Sequence, residues 1–315
     1  MDIAAGWASA AKALCDDGSR LDNVLRAAAD GMLREETAEG REVYRGRAAD
    51  VLQAEHSATV TAARDAADGI WKASLGYDPA EHGHESGYGL FHQRVYDSAA
   101  CLFDGPGGPA DFSKSVRWWL AGEYDRAYDK AMEDNQTSLG DPGVRYAHVP
   151  TSPKPCEECC AIAANGFAYR KPFRLHSSCR CVIMAGRADT EVEGYDPDEY
   201  YYAYRGMGKC VIPDAKLAGY ALNPGHPAGK HKAKVFGETL GITAADADYL
   251  AFKTYVAAGK DSPSYRSTDE HGDRYICDFI LRGLRGKSNV EKTIRAAWIF
   301  RAESGKLQLT TIYVK

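Results

Sequence analysis

Apolar residues recur at three- and four-residue intervals through the first part of the chain, and this spacing predicts helices. Leu21, Val24, Leu25, Ala28 and Met32 follow it, as do Val51, Leu52, His56, Val60 and Ala63. No proline separates them and breakers are few, so this stretch reads as two or three long helices. The composition of YDPAEHGHESGYG, from Tyr77 to Gly89, marks a loop, and GPGGP, from Gly105 to Pro109, marks a firm break. A short helix around Phe91 to Leu102 fits between them. A further helix is expected from about Phe112 to Asn135. It carries Trp118, Trp119 and the i,i+4 series Tyr124, Tyr128, Met132, an aromatic stripe suited to packing against the preceding helices.

The pattern changes after Asp141-Pro142-Gly143. VRYAHV reads as a short strand, CCAIAANGFAYR as a brief helix closed at Asn165-Gly166 and leading into a strand, and Val182 to Met184 as another strand. Asp189 to Arg205, DTEVEGYDPDEYYYAYR, mixes acids and tyrosines around a proline and reads as a sticky, partly ordered connector. Beyond NPGHPAGK, the stretches Lys232 to Leu240 and Ala244 to Ala258 have helical spacing, with Thr243 placed to cap the second. RYICDFILR, KTIRAAWIFR and KLQLTTIYVK then follow as β-rich runs separated by glycine-bearing turns, which predicts an antiparallel meander.

The chain has 315 residues, 44% hydrophobic and 26% charged, ordinary values for a folded protein and enough length for more than one core. No apolar run reaches the ~18 residues that a bilayer span requires. The N-terminal stretch lacks a basic n-region, so no secretory signal is expected. The net charge of −5 is unevenly spread: Asn223 to Lys315 carries 15 Lys and Arg against 10 Asp and Glu, and the remainder 24 against 34. A basic C-terminal part on an acidic body would attract a polyanion locally.

Of nine cysteines, five fall between positions 156 and 181. Cys156 and Cys159 form a C-x2-C pair, and His176, Cys179 and Cys181 return 17 residues later, the grouping of a metal knuckle in a reducing compartment. The expected ligands of a structural zinc ion are Cys156, Cys159, His176 and Cys181, with Cys179 the alternate for the last place. Four protein ligands leave no open position for water, so the ion would supply folding energy and not catalysis. The fold class that emerges is multidomain. A mainly helical body spans 1–143 and a zinc knuckle 144–188; a connector over 189–222 leads to an α+β domain with an antiparallel sheet over 223–315.

RYAHVPTSPKPCEECCAIAANGFAYRKPFRLHSSCRCVIM, with the helix ending RAYDKAMEDN before it, resembles the closing segment of phage head morphogenesis proteins of the MuF-like minor capsid family. The resemblance covers roughly residues 90 to 185. It departs from that family at Ser177, where proline is usual, and at the extra thiol Cys160. It implies a virion protein inside the phage head or in the bacterial cytoplasm, with portal or capsid proteins as partners and no membrane association. The C-terminal runs from HKAKVFGETLG to KLQLTTIYVK resemble a small toxin nuclease domain of the barnase, EndoU, colicin and RelE superfamily. That resemblance implies metal-independent RNA cleavage and an immunity protein as a further partner. His231 would act as acid or base, Lys234 and Arg295 would contact the phosphate, and Thr311 would orient one of its oxygens. Tyr275 and Trp298 could stack a base, although both also suit a core. Alternatively, the basic domain is a non-catalytic module that binds packaged DNA or a capsid or portal partner.

Overall fold

The computed structural model describes residues 34, 37–81, 93–94, 96–97, 109–176 and 181–315. The helical spacing from Leu21 to Met32, most of the Tyr77–Gly89 loop and of the Phe91–Leu102 helix, the glycines of GPGGP, and Cys179 lie outside them. Contacts divide the chain into two compact units. One holds the described residues up to Ala147 with those of Phe167–Ser178 and Ile183–Gly194; the other holds those of His148–Gly166, Cys179–Val182 and Tyr195–Lys315.

In the first unit, helix α1 (Ala38–Leu75) begins at Thr37, whose hydroxyl accepts from Gly40 N at 3.1 Å, and closes at Gly76, where φ is 76°. A single helix therefore runs through residues 38–75. Its buried positions Ala49, Leu52, His56, Ala63, Ala67, Ile70 and Trp71 recur at helical intervals and form one face. That face packs against helix α2 (Pro109–Leu139), which buries Val116, Leu120, Tyr124, Tyr128 and Met132. The predicted stripe is thus core. Trp118 lies off the stripe and is 65% exposed. Asn135 ties the pair together, donating to Asp68 at 2.8 Å and accepting from Ala80 N at 2.6 Å. Strands β1 (Arg145–Pro150) and β2 (Cys181–Gly186) pair as a two-stranded sheet. The Tyr128 hydroxyl donates to Ile183 O at 2.7 Å. The short helix α3 (Glu157–Ala163), which belongs to the second unit, follows β1, and Gly166 adopts φ 59° after it, as the Asn165-Gly166 signal predicts.

In the second unit, helix α4 (Pro197–Lys209) occupies the stretch expected to be a partly ordered connector. Asp196 caps it, Pro197 opens it and Lys209 closes it, and Tyr200, Ala203, Gly206 and Met207 form a buried face. The expectation failed because the stretch from Asp189 reads as a connector by its acids and tyrosines, whereas Tyr200, Ala203, Gly206 and Met207 recur at helical intervals that begin only after Pro197. After β3 (Cys210–Val211) come a single helical turn, α5 (Asp214–Lys216), a π-helical turn Leu217–Ala221, and α6 (Lys230–Val235), which runs into a second π-helical turn at Phe236–Leu240. Thr243 and Asp246 then make the reciprocal caps of a capping box that leads into α7 (Ala247–Lys260).

Strands β4 (Ser264–Asp269), β5 (Gly272–Arg282), β6 (Glu291–Arg301) and β7 (Lys306–Val314) form the expected antiparallel meander, with β3 added parallel to β7 in the order β3-β7-β6-β5-β4. One face of the sheet buries Cys277, Leu281, Ile294, Ala296, Trp298, Leu309 and Ile312, and α7 lies against β5. Trp298 is fully buried and belongs to this core. No sequence period announced β4. Every residue of SYRSTD is exposed, and the strand pairs with β5, where Thr268 donates to Asp273 and Arg274 to Asp269.

Candidate functional site

The start of α3 positions the C-x2-C pair. Cys156 is the N-cap, and its sulfur accepts from Cys159 N at 3.3 Å, so the tight turn that caps the helix also turns both thiols the same way. On the return, Arg174 is fixed by a two-point contact to Asp129 of α2, at 2.9 and 3.1 Å, with Asp125 at 3.2 Å. Burial pushes the Asp129 carboxyl up against the opposing pull of Arg174. His176 stands two residues beyond this clamp.

The Cys156 and Cys159 sulfurs and a His176 ring nitrogen all lie within 4.8 Å of one another. Two thiolates and an imidazole are the donor set zinc favours. Tetrahedral bonds at the usual lengths would set them roughly 3.5–3.8 Å apart, a small side-chain adjustment from this arrangement. Three of the expected ligands therefore come together and could hold a metal ion. Cys181, 3% exposed at the start of β2, is not in this three-residue group, and Cys179 is not among the described residues. The Cys160 thiol is pushed up to about 12, first by burial and then by Cys156 and Glu157, which keeps it protonated beside the pair.

The four residues expected to act on RNA divide into two pairs. His231 and Lys234, both exposed on α6, line an open cleft of about 800 Å³ floored by Leu222, Pro224, Ala233 and Ile242. Lys234 lies 3.8 Å from Glu238. Arg295 and Thr311 lie instead on the sheet, on the face opposite its core. Arg295 pairs across the ladder with Tyr313, and Ala297 with Thr311, so these side chains share one face. Arg295 donates to both Asp278 oxygens at 2.7 Å. Arg295 and then Lys315 hold the Asp278 carboxyl down to about 2.

Two residues that the sequence did not single out complete this face. Lys232 Nζ donates to Tyr220 Oη at 2.9 Å and to Thr311 Oγ1 at 2.5 Å, and lies 4.5 Å from the Tyr220 ring centre and 6.0 Å from that of Tyr313. The His226 ring stands edge-on to Tyr220 with centroids 4.9 Å apart. The Lys232 hydrogen bond, aided by Thr311 and the charge of Lys216, draws the Tyr220 phenol below its ordinary range. In HKAK, Lys232 follows His231 by about 100° around the helix and so faces the sheet while His231 and Lys234 face the cleft. No motif marks that choice. Tyr275 meets Tyr265 edge-on at 5.8 Å on the outer strands.

Two family models match the chain. Residues 19–207 match the VG15 protein model, more than half the chain, and the chain belongs to that viral protein family. Residues 205–315 match a domain of unknown function (DUF6883). The two models meet within α4. Neither the curated proteins nor the solved structures provide a match. Among the described residues, no helix is long and apolar enough to cross a membrane.

Proposed function

We propose that this VG15-family protein is a minor virion component of a phage head with a metal-independent ribonuclease-like effector at its C-terminus. In this reading the helical body and knuckle, residues 1–188, engage portal or capsid proteins, and zinc on Cys156, Cys159 and His176 with Cys179 or Cys181 pins the knuckle. The C-terminal part, from α4 onward, acts on RNA and would meet an immunity protein in a producing cell.

The observation that supports the effector most is the polar patch on the sheet face opposite the core. Arg295, Thr311, Lys232, Tyr220 and Tyr313 converge there on one side of a sheet whose other side is core. Cleavage through a 2′-hydroxyl requires a proton acceptor, a proton donor and cations for the charge on the phosphorus oxygens. Tyrosine, lysine and arginine supply those chemistries without a metal. His231 and Lys234 line the neighbouring cleft and lie outside this face.

A second reading keeps the viral body and makes the basic domain a non-catalytic binder of packaged DNA or of a capsid or portal partner; the positive balance of residues 223–315 favours it. The full chain incubated with labelled RNA, without added Mg2+ or Ca2+, separates the two. The ribonuclease reading expects cleavage that falls by about 100-fold or more in Arg295→Ala. Folded protein that binds nucleic acid saturably and with salt dependence, but leaves RNA intact, selects the binding module.

A further inference from the structure

Lys232 is a half-buried ammonium group that makes no ion pair among the described residues. Its neighbours on the same helix and sheet differ in this respect, because Lys234 faces Glu238 and both Arg295 and Lys315 face Asp278. Withdrawing a strongly hydrated cation from water without a counter-charge is costly, and the neutral hydroxyls of Tyr220 and Thr311 and the adjacent ring faces offset only part of that cost. An ammonium has three N–H donors, and Tyr220 and Thr311 take two. The third remains for an anion.

The surroundings specify which anion. Lys216 adds positive charge at Tyr220, and Arg295 lies on the same face of the sheet as Thr311. The Tyr220 and Tyr313 rings border the ammonium, and the His226 ring stands edge-on to Tyr220. A cation bordered by aromatic rings suits a phosphate that carries bases, because the charge holds the backbone while the rings offer stacking surfaces. We infer that Lys232, held in place by Tyr220 and Thr311, is the phosphodiester-binding group of the C-terminal domain and takes the backbone of single-stranded RNA. The inference deepens the ribonuclease reading, since it names the anchor of that site and moves it from His231 and Lys234 in the cleft to the polar patch on the sheet.

The test is fluorescence anisotropy on the full chain with a short 2′-O-methyl oligoribonucleotide, which cannot be cleaved through its 2′-oxygen. Lys232→Gln is expected to weaken binding by about tenfold or more and to lower the slope of log affinity against log salt by about one. Lys232→Arg should recover most of that loss. Lys260→Gln, which removes an exposed lysine at the end of α7, should stay within about twofold of the unmodified chain. If Lys232→Gln does not fold, Thr311→Val replaces it, with an expected loss of roughly threefold to tenfold. No saturable binding by the unmodified chain, no change in Lys232→Gln, or an equal loss in Lys260→Gln overturns the inference, as does binding of inorganic phosphate as tight as that of the oligonucleotide. Unmodified RNA, assayed in parallel, separates this outcome from that of the parent reading. Lys232-dependent binding with intact RNA leaves the phosphate site standing and removes the ribonuclease. RNA cleavage that is indifferent to Lys232 does the reverse.

Discussion

Partner choice separates the cations of the C-terminal part more sharply than their position in the chain does. Arg295 and Asp278 form a two-point pair, so Asp278→Asn leaves a half-buried guanidinium with weaker acceptors. Because the pair is partly solvated, the expected cost at neutral pH is at most about 1 kcal/mol, measured by urea denaturation. The Asp278 carboxyl is held down in the folded chain, so its contribution is present above the ordinary carboxylate range and is lost as pH falls toward about 2. The difference in stability between the unmodified chain and Asp278→Asn should therefore shrink on acidification; a difference that grows contradicts the assignment. At the knuckle, Cys159→Ser should lower bound zinc from about one ion per chain to near zero by elemental analysis, while Cys160→Ser, whose thiol is buried and protonated, should retain it. Equal loss in both would reassign the ligands. The knuckle was legible because chelation fixes residue type and spacing together. Lys232 was not, because three lysines within five residues differ only in the direction each takes from one short helix.

At the level of elements, α4 and α7 cross where glycines let their backbones meet. A Cβ on Gly206 would lie 2.0 Å from Tyr255 O, and one on Gly259 would lie 1.8 Å from Tyr202 O. Gly206→Ala is expected to destabilise the chain by about 1–3 kcal/mol in urea denaturation, because backbone on both sides must move. Gly208→Ala, on the same helix with open space around it, should be neutral or mildly stabilising. The same crossing explains what the sequence concealed. The period Tyr200, Ala203, Gly206, Met207 is present in α4, but the crossing requires small residues at two of these places, whereas α2 carries its buried stripe on the large side chains Tyr124, Tyr128 and Met132. The strands β5, β6 and β7 were equally plain, since one face alternates into a core. The edge strand β4 buries nothing and left no such trace. Thr243 was readable for a different reason: with Asp246 it satisfies the backbone of its own turn, a local arrangement that tertiary context does not alter.

For the whole molecule, the viral family model extends from residue 19 to the end of the knuckle and into α4, while the stretch beyond carries a different family and the opposite charge balance. A membership that covers the acidic part and a basic α+β part that follows it are the grounds for reading the chain as a viral body with an effector. The body should accordingly be found in purified phage particles, cross-linked to portal or capsid protein; its absence from particles would argue against the virion role. The central claim concerns the polar patch on the sheet, and the most direct measurement is a gel of end-labelled RNA treated with the full chain and with its Arg295→Ala and Lys234→Gln forms. The account predicts discrete cleavage by the unmodified chain, near-complete loss with Arg295→Ala and retention with Lys234→Gln. Intact RNA in all three lanes from folded protein, or loss with Lys234→Gln and retention with Arg295→Ala, would contradict it.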